Sequence, residues 1–322
     1  MPDGVLVLGE VLCDLFPPRP GTSFLRATEL LPLLGGAPAN VAVQLARLGV
    51  RTALVSAVGE DPLGARLIHE LTAEGIDTSR VARRRGFRTG VTLVEVDEDG
   101  ERRFYPLADH RADLSIGPSD IDIKYVKTFE AVHTGTVGLR EPAPRAAARK
   151  LVDAARAAGR LVSLDVNLRV GMYRSRKELL RRARAAVKRA HVVKATADEA
   201  RALLGARPST SAEALGRAFF QKLASKQTEL LLLTLDKGGA WAVTRERAVL
   251  VPAPQVRVVD ATGAGDAFVG AALARLVAIG ARPGALGDLD EHVLTDVVER
   301  GCAAGSAACT AMGATTAMPR AL

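Results

Sequence analysis

TALVSAVGEDPLGARLIHELTA, residues 52–73, changes character halfway. Residues 52–59 form a short apolar run closed by a glycine, which reads as a strand, and from about Pro62 to Ala73 the apolar side chains recur at helical spacing. The same alternation extends in both directions. VLVLG (5–9) reads as a strand and PANVAVQLARLG (38–49) as a helix; AVH (131–133), LVSLD (161–165), HVVK (191–194) and LLLLTL (230–235) read as further strands separated by alanine-rich helices. Strands alternating with helices predict an α/β fold of three layers, α/β/α, around a mostly parallel central sheet. In such sheets ligands sit at the carboxyl ends of the strands, so the polar residues that close these runs become the candidates for function.

One region departs from the pattern. GFRTGVTLVEVDEDGERRFYPLADHRADLSI (86–116) alternates with the two-residue period of antiparallel strands, with a turn at Asp97-Glu98-Asp99-Gly100. It is read as a hairpin set into an α/β protein, either as an edge extension or as a lid that closes over substrate and excludes water. No linker or low-complexity stretch divides the chain. The expectation is one domain over 1–322, with a small antiparallel lid formed by about 10–35 and 86–116.

Composition narrows the functional classes. With 322 residues, 48% of them hydrophobic, and a mean hydropathy of +0.12, the chain can bury a substantial core. MPDGVLVLGE has no basic leader and its apolar run is too short for a signal or a membrane span, so a cytoplasmic protein without membrane contact is expected. Cys13, Cys302 and Cys309 make no Cys-x-x-Cys pair and the five histidines form no zinc motif, so the thiols are read as core residues. The net charge of +8 raises a nucleic-acid partner, but aromatic residues are only 4%, too few for stacking platforms. The densest basic run, RSRKELLRRARAAVKR (Arg174–Arg189), repeats at helical spacing and reads as a solvated helix face or a subunit contact. No nucleic-acid partner is expected.

The stretch richest in chemistry is VVDATGAGDAFVGAAL (258–273). A glycine-rich turn entering a helix offers unpaired backbone N–H groups beside the positive end of the helix dipole, which makes Gly263, Ala264 and Gly265 an anion cradle. No Gly-Lys pair occurs in the chain, so this is not a Walker A loop. Asp266, in the first helical turn, is either a helix cap or a base that takes the proton from an attacking hydroxyl. The dipole should favour its ionised form.

Asp260-Ala261-Thr262-Gly263-Ala264-Gly265-Asp266 resembles the C-terminal signature of the ribokinase-like (PfkB) carbohydrate kinases. Gly35-Gly36-Ala37-Pro38-Ala39-Asn40-Val41-Ala42 resembles that family's N-terminal signature, in its fructokinase version. Between them SLDVNLR (163–169) is similar to the family's Asp-Pro-Asn-Leu-Arg segment, KATADE (194–199) to its Lys-x-Asn/Ser-x-x-Glu segment, and TLDKGGA (234–240) to its nucleotide loop. The resemblance runs from GEVLCD (9–14) to GAT (313–315).

The resemblance implies an ATP-dependent sugar kinase, with Asp266 as the base and the amides of 263–265 stabilising the transferring phosphoryl group. It implies sugar contacts at Asp14, Gly35, Gly36, Asn40, Tyr105 and Arg169; Asp14 read alone is also an ordinary loop carboxylate. Lys194, Thr196, Thr234, Asp236, Gly239, Gly263 and Gly265 would line the nucleotide path. Glu199 would organise Mg²⁺ through water, its alternative being an exposed helix residue. Asp260, Thr262, Ala308 and Gly313 would form a potassium-type cation site. Three departures bear on these roles. Thr196 stands where many members have Asn, Asp236 adds a negative charge where glycine is usual, and Val166 replaces proline and should loosen its turn.

Fructose is the implied acceptor, with transfer to O6. Arg169, Arg102 and Arg103 keep a 2-keto-3-deoxygluconate kinase in view, because an arginine fork suits a carboxylate. Nucleoside and aminoimidazole riboside kinases share the second signature. An inactive sugar or nucleotide sensor would be expected to lose the Gly-Ala-Gly-Asp chemistry, which is intact here. A homodimer through the lid is the expected assembly.

Overall fold

The computed structural model describes residues 3–97, 102–107, 110–169, 171, 173 and 175–322. Among them the chain runs β1 (Val5–Leu8), β2 (Leu12–Phe16), β3 (Leu31–Gly35), α1 (Ala37–Arg47), β4 (Thr52–Gly59), α2 (Pro62–Ala73) and β5 (Val81–Arg84). It continues through β6 (Gly90–Val96), β7 (Arg102–Leu107), α3 (Ile123–Val126), β8 (Ala131–Gly135), α4 (Pro142–Ala157) and β9 (Leu161–Asp165). Then follow α5 (Arg176–Val187), β10 (Val192–Thr196), α6 (Ala197–Leu204), α7 (Ala212–Lys222), β11 (Leu230–Thr234), β12 (Ala240–Val243), β13 (Ala248–Val251), α8 (Ala264–Ala278) and α9 (Glu291–Ala308).

The opening stretch folds as read. All eight residues of β4 are buried, as a strand covered on both faces requires, and Asp61 caps α2 by accepting from Gly64 N at 2.8 Å, with Pro62 at the first helical position. Nine strands form the large sheet in the order β13-β12-β11-β10-β9-β8-β1-β4-β5; all pairings are parallel except those of β12. Alternate residues of β1 serve opposite faces. Val5 and Val7 join the core beneath α1, α2, α8 and α9, whereas Leu6 and Leu8 join the core beneath α4, α5, α6 and α7. The basic run forms α5, where Arg176 and Arg181 lie exposed while Arg182 donates to the carbonyls of Leu139 and Arg140, and Arg184 to that of Leu203.

The second sheet has the order β3-β2-β6-β7. Its outer pairings are antiparallel, but the central pair β2–β6 is parallel, because the chain makes two separate excursions from the large sheet and each leaves in the same direction. The turn expected at 97–100 falls mostly outside the described residues. Register places Leu12, Asp14, Gly35, Gly90, Thr92, Phe104 and Pro106 on one face of this sheet, and Leu15, Val91, Leu93, Tyr105 and Leu107 on the other. Cys13 and Cys302 are buried and Cys309 half-buried; burial pushes the first two thiols up to about 11.

Candidate active site

The carboxyl ends of β9, β10 and β11 lie side by side and bring Asp165, Lys194, Thr196 and Thr234 into one row, with Asp165 opposite Lys194 and Thr196 opposite Thr234. The N-terminus of α8 stands over this row. Gly263 caps the helix in the left-handed region (φ 79°), and a methyl there would run into the Ala314 carbonyl. Only glycine satisfies both conditions. Ala264 N turns back to Ala261 O at 3.3 Å, so Gly263 and Gly265 are the cradle positions with the freer amides. At Gly265 an added methyl would stand 2.8 Å from Lys194 Nζ, which brings the ammonium directly beneath the cradle.

Asp266 is the third residue of α8 and caps nothing, since the cap is Gly263 and no side chain bonds there. Its Oδ2 accepts instead from Asn40 Nδ2 at 2.8 Å, a bond between residues 226 positions apart. The expectation that the helix dipole would lower its proton affinity is corrected. Burial pushes Asp266 up to about 6, with the Asp165 charge adding to the rise, against the lowering effects of Asn40, Lys194 and Arg169. Desolvation of a buried carboxylate outweighs one helix terminus.

Lys194 is the buried cation of the site. Its Nζ lies 3.3 Å from Asp165 Oδ2; burial works to lower its proton affinity, but Asp165, Glu199 and Asp266 together hold it above the ordinary lysine value. Glu199 is not an exposed helix residue. It closes a capping box on α6, its Oε2 accepting from Thr196 N at 2.8 Å while Thr196 Oγ1 accepts from Glu199 N at 3.2 Å, and its Oε1 accepts from Leu168 N at 2.7 Å. Thr196 therefore keeps its hydroxyl proton to donate. Asp165 was missed as a site residue, although it closes a strand by the same rule that singled out its neighbours.

The turn after β9 is firm, contrary to the expectation from Val166. Val166 is fully buried, its N–H donates to Lys194 O at 2.9 Å, and its carbonyl accepts from Thr136 Oγ1 at 2.6 Å. Proline in the same place would lack that N–H. Asn167 (φ 33°) and Asp236 (φ 50°) both occupy the left-handed region. That conformation gives glycine its advantage at 236, and Asp236 itself is exposed at the start of the loop that Gly239 closes.

On the small sheet Asp14 is buried, its carboxylate lying against Gly35, where a side chain would collide with it. It is a strand residue, not a loop carboxylate. Gly36 caps α1, with room for no side chain against Glu10 O at 2.5 Å. The aromatic residue brought to the site is Phe104 rather than Tyr105. The Arg169 guanidinium lies 5.5 Å from the Phe104 ring centroid, and Phe104 shares a face with Asp14, whereas Tyr105 points to the opposite face and is 45% exposed. Strand alternation carried this distinction, since Phe104 and Asp14 share the register of Val94 and Thr92. Arg102 lies on the Phe104 face and Arg103 on the other.

Asp260 is fully buried and ties two segments together: Oδ1 accepts from Thr262 N (2.8 Å) and Oγ1 (2.6 Å), and Oδ2 accepts from Gly313 N (2.8 Å). No lysine or arginine is paired with it among the described residues. Ala308 ends α9 just before Cys309, whose carbonyl accepts from Asp260 N at 3.3 Å, and Gly313 has φ 91°. No helix of the described residues is long and apolar enough to cross a membrane.

Free glycine amides, a buried carboxylate beside them and a cation beneath them make an arrangement chemically suited to phosphoryl transfer. The family model for pfkB family carbohydrate kinases matches residues 3–321. The chain is 32% identical over 320 residues to Fructokinase-2 of Solanum habrochaites, covering 98% of this chain and 93% of the relative. Among solved structures it resembles fructokinase from Vibrio cholerae O395 in a fructose-, ADP- and calcium-bound form (TM-score 0.83, 31% identity, 98% of this chain and 95% of that one). A double mutant of that fructokinase in a fructose-, ADP- and potassium-bound form gives a TM-score of 0.84 at 31% identity, covering 99% and 97%. The chain belongs to the pfkB family of carbohydrate kinases, with the ribokinase-like α/β fold. It is a kinase that phosphorylates a sugar hydroxyl.

Proposed function

We propose that this kinase transfers the γ-phosphoryl group of ATP to fructose, giving fructose 6-phosphate. The observation that carries the mechanism is Asp266, buried, free of any capping duty, aimed by Asn40 and set beside the glycine cradle. In that reading the sugar hydroxyl gives its proton to Asp266 as its oxygen bonds the γ-phosphorus and the bond to ADP breaks. The amides of Gly263 and Gly265 and the Lys194 ammonium meet the charge on the transferring group. Asp14, Gly35, Gly36, Asn40 and Arg169 hold the sugar, and Thr196, Thr234, Asp236 and Gly239 border the nucleotide. The small sheet acts as the lid of a single kinase domain that works in the cytoplasm.

Mg²⁺ is bound mainly by phosphates and water in such sites, which suits Glu199 and Asp165 as outer carboxylates beneath the cradle. The cation site fits too. A fully buried Asp260 without a described cationic partner is a charge that a potassium-type ion would neutralise, with the backbone of Thr262, Ala308 and Gly313 as further oxygen donors.

Magnesium- and ATP-dependent ADP release, measured against fructose, 2-keto-3-deoxygluconate, ribose, adenosine and aminoimidazole riboside, tests the acceptor. Fructose should give the highest kcat/KM. Because Asp14 stands at about 7 and Asp266 at about 6, kcat/KM for fructose is expected to fall as pH drops below about 7, and more steeply below 6. A rate flat from pH 5 to 8 would remove Asp266 as the base.

The second face of the lid exposes Tyr105 and Leu107 beside the half-buried Leu15, Val91 and Leu93, an apolar surface on an edge strand. We assign it to a second copy of the chain. Sedimentation should give a dimer that Leu107→Glu converts to monomer.

A further inference from the structure

α1 and α8 lie side by side, and their residues meet in step. Asn40 Nδ2 donates to Asp266 Oδ2 at 2.8 Å, and one turn further along both helices Gln44 lies on Gly270. A methyl at 270 would stand 2.8 Å from Gln44 Cβ, 2.9 Å from its Cγ and 3.3 Å from Val41 O. The backbone of α8 is bare where the Gln44 stem crosses it, and only glycine leaves that room. Gln44 is fully buried and is tied at its tip, where Nε2 donates to Pro319 O at 3.1 Å. Arg47, the last residue of α1, donates to the carbonyls of Thr315 and Met318 and to Glu74. α1 is thus clasped between α8 and the segment 315–319.

The spacing of the two helices decides whether Asn40 reaches its partner. Asn40 Oδ1 is buried without a partner among the described residues, so the amide has the one bond to Asp266 and depends on α1 for its placement. Carbon atoms in ordinary contact stand about 3.5–4.0 Å apart, so a methyl at 270 would have to drive the helices apart by about 0.7–1 Å. The atoms it meets are the base of a side chain and a backbone carbonyl, which cannot swing aside. The same displacement one turn away would stretch the 2.8 Å Asn40–Asp266 bond to about 3.5 Å, where a hydrogen bond ends.

We propose that Gly270 is a positioning residue for phosphoryl transfer: by taking the Gln44 stem against bare backbone, it sets the separation of α1 and α8 at which Asn40 holds Asp266 in place. This rests on the reading that Asp266 is the base. A group that must take a proton from a reacting hydroxyl is sensitive to such shifts, since a misplacement of about 1 Å costs about a hundredfold in rate. The Asn40 bond also opposes the burial that raises Asp266, as do Lys194 and Arg169, while Asp165 adds to the rise. Those three charges act from β9, β10 and the turn after β9, and the carboxyls of Glu10 and Asp14 from β2 and the turn before it. None of them belongs to the seam between α1 and α8. Widening the seam therefore removes the Asn40 contribution and leaves theirs, so Asp266 protonates at higher pH.

The test is kcat with fructose against pH in wild type, Gly270→Ala, the double variant Gly270→Ala with Gln44→Gly, and Gly301→Ala. Gly301 is the matched control: it lies on α9, and a methyl there would crowd α8 at the Phe268 ring, 2.7 Å away. Phe268 is two residues from both Asp266 and Gly270 and so faces away from α1. Gly270→Ala should lower kcat about a hundredfold and move its acid limb upward from about 6. Gln44→Gly removes the side-chain atoms that the new methyl meets, and should restore about tenfold of that loss even though glycine inside a helix lowers stability. Gly301→Ala should lose stability and keep kcat within about threefold. An undiminished kcat in Gly270→Ala, no recovery in the double variant, or an equal loss in Gly301→Ala overturns the proposal. Where Gly270→Ala folds poorly, Gln44→Ala serves, because it removes the spacer and its tie to Pro319 without crowding. A kcat lowered about tenfold with the same upward movement of the limb supports the proposal, and an unchanged kcat overturns it. A ¹³C carboxyl titration of Asp266, assigned with Asp266→Asn, reads the seam without substrate: the midpoint should rise in Gly270→Ala, and an unmoved midpoint overturns the proposal. If wild type does not turn over fructose, or Asp266→Asn keeps full turnover, the proposed function fails, and the titration still decides whether Gly270 sets the contact with Asn40.

Discussion

Asp266→Asn is expected to lower kcat by about 10²–10⁴ while leaving the protein at least as stable as wild type. The asparagine keeps a polar oxygen facing Asn40 but cannot take the hydroxyl proton. The stability follows from the sign of the shift. A carboxylate held at about 6 in the folded state, against an ordinary value near 4, gives up stability as pH rises from about 4 through 6, because the folded protein must then ionise it in a buried place. The neutral amide removes that cost at pH 8. Initial rates with fructose and a thermal melt on the same preparation check both halves. Undiminished turnover sinks the mechanism, and a lower melting temperature sinks the account of burial.

Lys194→Met should have the other large effect, on stability as well as on activity. The ammonium sits among Asp165, Glu199 and Asp266, and taking one partner from a buried ion pair costs about 3–5 kcal/mol. The carboxylates left behind are held more strongly towards their protonated forms. Stability lost on ionising them is lost as pH rises, so the deficit against wild type is expected to be largest at pH 7–8 and to shrink towards pH 5. Urea unfolding at pH 5, 6.5 and 8 reads this directly. A deficit independent of pH would mean that Lys194 contributes packing rather than charge. kcat should also fall by about a hundredfold, because the cradle would lose the cation beneath Gly265.

Much of the fold was legible in the sequence because its strands are covered on both faces. An apolar run such as 52–59 or 161–165 is almost unmistakable when polar helical stretches flank it. The lid was harder. Its two excursions join through a parallel pair, Asp14 with Thr92, and nothing within either segment records its distant partner. The choice between Phe104 and Tyr105 had the same cause, since a shift of one residue in register exchanges the faces of a strand. The glycines and Asp266 were readable because their chemistry is local to one turn. The proton affinity of Asp266 was not, because it is set by burial beneath residues from other parts of the chain. Asp236 and Val166 drew notice as departures, but their meaning lay in backbone angles and in a bond to Lys194 that spacing does not encode.

The tie between Asp260 and Gly313 has a consequence for synthesis. Val259 N and Asp260 N donate to Cys309 O, Gly313 N donates to Asp260, and Gly263 rests on Ala314, so the cradle is spliced to a segment made about fifty residues later. On the ribosome, the chain emerges from its N-terminus and its early strands can pair while translation continues. The turn at 263–265 cannot take its final shape until residues 309–314 have left the exit tunnel. A nascent chain stalled before that point would carry Asp266, Asn40 and Lys194 but not the support that shapes the turn between them.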